Sequence, residues 1–182
     1  MRVRELIDVI AVDVDSGRFD AELKVASADD LLRICPGLIE MHEGTGYFKS
    51  YNENSIFIDR DCVRITHFSV QEFLLSTRIT NGPARKCAIS YARDDPQTGS
   101  ACLIYLCNQD FWRSSLSPEF FQLYPFARFA ASSWYKHRDP GVTETLSIFD
   151  AWSWKLLTDP ASFELWLQVS NQDRYNGKLV DK

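Results

Sequence analysis

Apolar residues recur at helical spacing near both ends of the chain and alternate over a shorter stretch between them. Residues 3–12 carry Leu6, Ile7, Val9 and Ile10 among charged side chains, which predicts a short amphipathic helix. Residues 13–26 read as a polar loop containing S-G-R-F-D. A second helix begins in S-A-D-D-L-L-R-I-C-P-G-L-I, with Ser27 as its cap and Asp29 and Asp30 in the first turn. Pro36-Gly37 ends or kinks it. Strand-like pieces follow at 38–41, 47–51, 56–58 and 63–68, separated by turn compositions G-T-G, N-E-N and D-R-D.

From residue 83 onward the pattern turns helical. Asp95-Pro96, Ser117-Pro118, Asp139-Pro140 and Asp159-Pro160 each place a capping side chain before a proline suited to a first helical position. Their spacings are 22, 22 and 20 residues, but no side-chain repeat accompanies them, so they predict a compact helical domain and not a solenoid. The last dozen residues read as a frayed exit. The expected fold is mostly α (α+β): an N-terminal winged helix with a small antiparallel sheet over residues 1–80, then an all-helical domain over 83–182. The first helix starts almost at Met1, as in a chain cut from, or begun within, something longer.

The formal net charge of −5 and the lack of any basic run argue against nucleic acid as a partner, because phosphate binding needs a basic surface. The apolar runs are too short to span a bilayer, and the charged opening M-R-V-R-E-L-I-D is no signal peptide. Five cysteines, without any Cys-x-x-Cys, suit a reduced cytoplasmic setting as small core residues.

The stretch R-I-T-H-F-S-V-Q-E-F-L-L-S reads as a strand running into a helix. Ser69 and Glu72 have the spacing of a capping box, and Phe68 and Phe73 that of a hydrophobic staple. Those four residues are explained by folding. His67 is left over: a packing histidine, or a ring N–H two residues before a helix N-terminus, where an anion is favoured.

T-H-F-S-V-Q-E-F-L-L-S resembles the winged-helix motif of NACHT-type signalling NTPases, the STAND or NLR-like class. D-D-L-L-R-I-C-P-G-L-I, R-I-T-N-G-P-A-R-K, A-C-L-I-Y-L and Y-P-F-A-R-F-A-A-S-S-W extend the likeness over about residues 3–170. Together they are similar to the segment between the NTPase and the ankyrin repeats of fungal NACHT–ankyrin proteins, part of which is known as the "GPI inositol-deacylase winged helix domain". The resemblance implies that His67 reaches the β-phosphate of ADP held on an upstream NTPase domain and locks the resting state. It implies as partners that upstream NACHT domain and downstream ankyrin repeats.

No G-x-x-x-x-G-K-[ST] occurs, so ADP or ATP would sit on the other domain and this chain would hold no cofactor. There is no G-x-S-x-G elbow, and Cys102 and Cys107 do not share a helical face with further ligands, so no catalytic and no metal residue is expected. Cys62 with His67 as a nucleophile pair has no local support. Asp13, Asp15, Asp20 and Gly17 fail the calcium-loop order. His42 and His137 read as surface residues, and Trp152 and Trp154 as core more than partner groove. The expected function is a non-enzymatic regulatory and coupling module. The alternative is a stand-alone protein-interaction adaptor or scaffold, which an exposed patch around Trp152, Trp154 and Trp166 would favour.

Overall fold

Helix dominates the computed structural model, accompanied by two small antiparallel sheets, as the mixed apolar spacing predicts. The described residues are 1–43, 61–108, 118–137 and 148–177. The strands expected at 47–51 and 56–58 and the Asp139-Pro140 pair lie outside them. In chain order the elements are α1 (Val3–Ile10), β1 (Val12–Asp13), β2 (Arg18–Phe19), α2 (Ala28–Ile34), β3 (Ile39–Glu43) and β4 (Asp61–Ile65). Then come α3 (Phe68–Leu75), α4 (Thr77–Thr80), α5 (Tyr91–Leu106), α6 (Pro118–Leu123), α7 (Ala127–Ser133), α8 (Ile148–Thr158) and α9 (Pro160–Gly177). Short 3-10 turns occupy Ala21–Leu23, Arg85–Cys87 and Trp134–His137.

The chain divides into two units. One is Met1–Ile7 with Val25–Ile89; the other is Asp8–Lys24 with Ser90–Lys182. The sequence places one boundary near residues 80–83. The structure instead lends residues 8–24 to the helical unit, because the side chains of that segment bury against α5.

In the first unit, α2 starts as its sequence predicts. The Ser27 hydroxyl accepts the Asp30 backbone N–H at 3.1 Å and donates to the Asp30 carboxylate at 2.7 Å. Gly37, at φ 74°, supplies the left-handed turn that takes the chain into β3. β3 and β4 pair with Ile39 opposite Ile65 and Met41 opposite Val63, so those apolar residues share one face. Glu40 and His42 lie on the other, opposite Arg64 and Cys62. Among the described residues this unit's buried apolar side chains are Val3, Leu31, Ile79 and Ala88.

In the helical unit α5 is the centre. Ala101 to Cys107 are all buried, which takes apolar neighbours on every side of the helix end. α7, α8, α9 and the β1–β2 hairpin supply them. The Tyr105 ring meets Phe19 and Phe126 edge to face at 5.0 and 5.1 Å. Trp134 packs between Phe149 and Trp166, and the Trp166 indole N–H donates to the Ala131 carbonyl at 3.0 Å. Each large side chain buried in this way contributes about 1.5–3 kcal/mol.

Several boundaries differ from expectation. The loop expected over 13–26 contains the β1–β2 hairpin, which turns at Gly17 (φ 66°), where an added Cβ would come within 2.8 Å of the Trp152 ring. Pro96 lies inside α5 and not at its first position. A proline there forfeits one bond and crowds one carbonyl near the helix start, at a cost of ~3 kcal/mol. The buried stretch that follows it outweighs that cost. Pro118 and Pro160 do open α6 and α9. The frayed exit expected for the last dozen residues is helical through Gly177.

Candidate functional site

α3 begins two residues earlier than the capping-box reading predicts, and this changes the roles at the site. The cap is His67, with extended backbone (φ −144°, ψ 144°). Its ring Nδ1 accepts the Ser69 backbone N–H at 3.1 Å and lies 2.8 Å from the Ser69 hydroxyl. Its carbonyl accepts the Val70 and Gln71 N–H groups at 3.0 and 3.4 Å, the first bonds of the helix. Ser69 is therefore the second helical residue and not the cap. Because its N–H is already bound by the ring, Glu72 cannot close the reciprocal box, and Glu72 is exposed. Phe68 becomes the first helical residue, out of register for a staple with Phe73. Both rings are exposed, Phe68 at 68%. The Arg78 guanidinium lies 6.0 Å from the Phe73 ring centre.

The cap also fixes the chemistry of the ring. An Nδ1 that accepts a backbone N–H carries no proton, so the neutral ring holds its proton on Nε2. His67 is exposed. The site thus offers the Nε2–H of an exposed ring held by the cap, beside a helix whose eight residues include none that is buried.

Other candidate residues fall elsewhere. His42 hydrogen-bonds Glu40 at 2.8 Å, and Arg64 donates to the same carboxylate oxygen at 2.6 Å. The His42 bond first, then Arg64, holds the Glu40 carboxyl below its ordinary range. His137 is half-buried, its Cβ about 3.0 Å from where a Cβ on Gly99 would sit, so it is less of a surface residue than its neighbours suggest. Cys102 and Cys107 are core residues whose thiols burial pushes up to about 12 and about 11. Cys87 is exposed, and Cys35 and Cys62 are partly so. Among the described residues no three His, Cys, Asp or Glu side chains gather in a way that would hold a metal ion. Among them, too, no helix is long and apolar enough to cross a membrane. Trp152 and Trp166 pack against the helical core, while Trp154 is 71% exposed.

The polar cluster that the sequence reading passes over is at Asp8. Its side chain is buried, with Lys24 Nζ at 2.6 Å from one oxygen and the Tyr105 hydroxyl bonded to the other. Burial and the Asp8 charge raise the Tyr105 phenol far above its ordinary range. No spacing in the sequence marks it, because Asp8 lies in the last turn of α1 and Val12, four residues on, already belongs to β1.

The fold class is thus mostly α with small antiparallel sheets, and its candidate site is a histidine-capped helix. No family model matches the chain. It is 30% identical over 175 residues to the "Azaphilone pigments biosynthesis cluster protein L" of Monascus ruber, a match covering 96% of this chain and 35% of that protein. The chain spans about a third of the length of that relative. No solved structure matches.

Proposed function

We propose that this chain is a non-enzymatic regulatory and coupling module of a NACHT-type signalling NTPase. In this reading residues 1–80 act as its winged helix, and the protein works in the cytoplasm. The module stabilises the ADP-bound resting state through His67 and relays nucleotide state to C-terminal repeats. The observation that carries the reading is the Nδ1 cap, which leaves Nε2–H as the donor of an exposed ring where the motif resemblance asks for a phosphate contact. ADP or ATP belongs on an upstream domain. About two thirds of the pigment-cluster relative lies outside the match, length enough for such domains.

The test uses the full-length parent and separates the two ring nitrogens. His67→Ser keeps an oxygen to cap α3 but lacks the reach of the ring. Faster ADP release and raised resting activity in His67→Ser are expected. Wild-type ADP release and resting activity in that variant would remove the sensor role.

A second reading, a protein-interaction adaptor, is favoured by Trp154 and Leu157, both exposed on α8. It predicts that Trp154→Ala abolishes partner capture and leaves nucleotide retention unchanged.

A further inference from the structure

Residues 8–24 are an excursion. The chain leaves the first unit after Ile7, contributes Asp8–Lys24 to the helical unit, and returns at Val25. The first and last residues of this excursion are bonded to each other, Asp8 to Lys24 at 2.6 Å. The second oxygen of the Asp8 carboxylate is held by the Tyr105 hydroxyl of α5, itself fully buried. Between these ends lie further attachments. Ala11 and Val12 are buried, the Phe19 ring meets Tyr105 edge to face, and Lys24 Nζ lies 5.2 Å above that same Phe19 ring. The Ala11 carbonyl accepts the Asp20 N–H at 2.9 Å, closing the hairpin above the ion pair.

We infer that Asp8–Lys24 is a strap that can leave the helical unit without that unit unfolding, and that the Asp8–Lys24–Tyr105 cluster is the clasp fastening it. The strap has no helix of its own beyond the end of α1 and a single short turn, and its hairpin has only two residue pairs. Elements with so few internal bonds open at low free energy unless something outside them holds them. Here that is α5, through the hairpin's apolar contacts and one buried carboxylate. Because both ends of the strap continue into the first unit, a displacement of that unit acts first on Asp8 and Lys24. The clasp therefore sets how much displacement the strap withstands before it lets go. Its regulatory meaning rests on the coupling role proposed above. The existence of the strap does not, and the experiment below addresses the strap alone.

The test is amide hydrogen exchange on the full chain, comparing wild type with Lys24→Met and with Tyr105→Phe. Lys24 is partly exposed, so its removal leaves the core intact, and Phe at 105 keeps the ring packing. In both variants the Ala11 and Asp20 amides, bonded to the Asp8 and Ala11 carbonyls, are expected to exchange at least about tenfold faster, as a buried carboxylate losing a partner destabilises its setting. The Cys107 amide, bonded to the Leu103 carbonyl at 2.9 Å within the α5 end, keeps its wild-type rate. If the strap and α5 amides accelerate together, the segment is part of one cooperative core and the strap is overturned. If neither set changes, the cluster fastens nothing, and the proposal fails equally.

Discussion

Replacing His67 distinguishes its capping role from any contact its outer nitrogen makes. In His67→Ala the Ser69 N–H loses the ring acceptor at 3.1 Å, and the first turn of α3 keeps only the carbonyl bonds to Val70 and Gln71. Loss of a side-chain cap costs about 1 kcal/mol. Tertiary packing adds little to that figure, since no residue of α3 is buried. A change of about 1 kcal/mol corresponds to roughly fivefold faster exchange of the Ser69 amide and, for a chain of this size, a fall of about 2–4 °C in Tm. His67→Ser should recover most of that loss, since serine ranks among the best caps. Tryptophan fluorescence is the wrong assay: all five tryptophans lie beyond residue 90, in the other unit. Amide exchange at Ser69, Val70 and Gln71 reads the site directly. If His67→Ala leaves the Ser69 amide at its wild-type exchange rate, the ring is not the cap. The tautomer argument for Nε2–H would then fall with it.

Two further outcomes follow from packing and capping in the helical unit. Gly99→Ala puts a Cβ within 2.5 Å of the Phe149 ring and 3.0 Å of the His137 Cβ, so overpacking of about 1–3 kcal/mol should exceed the helix-propensity gain of up to ~1 kcal/mol. Because Trp134 packs on Phe149, tryptophan fluorescence during thermal unfolding should show a lowered Tm, and an unchanged or higher Tm would refute the close approach. Asp159 caps α9: one carboxylate oxygen accepts the Ser162 hydroxyl at 2.6 Å and the Ser162 N–H at 2.9 Å, and these bonds, the hydroxyl first, hold its carboxyl below the ordinary value. Its contribution is therefore complete above the unfolded value near pH 4 and lost as pH falls through the lower folded value. Asp159→Ala should cost about 1–2 kcal/mol in urea unfolding at pH 7, with a gap to wild type that narrows only below about pH 4. A gap that closes between pH 7 and 5 would contradict the capping geometry.

Much of the helical framework was legible because its signals are local. Ser27 with Asp30, and Asp159 with Pro160, declare their helix starts within four residues, and the structure places both caps as read. Pro96 misled for the same reason. Asp95-Pro96 has the form of a helix start, yet the decision belongs to Ala101 to Cys107, whose burial on all sides depends on helices up to 60 residues away in sequence. At 63–76 the local rules name Ser69 as the cap, whereas the structure caps α3 with His67. Serine is the commoner cap, but the His67 ring reaches the amide two residues ahead before Glu72 can reach back.

Asp8 shows what the sequence withheld and why. A carboxylate inside a short amphipathic helix reads as solvated, because its partners are 16 and 97 residues on. Nothing at positions 1–12 marks it for burial. Burying one charge is tolerable here because both oxygens are bonded, one to a cation and one to a neutral donor. The same logic explains why residues 8–24 do not behave as a loop of the unit they interrupt. Phe19 gains its edge-to-face contact where α5 presents Tyr105, Lys24 lies over the same Phe19 ring, and Asp8 accompanies them because Tyr105 and Lys24 satisfy it there. The charges of the segment suggest a polar loop. Its attachment is decided by one aromatic ring and one ion pair, which no windowed reading of the chain brings together.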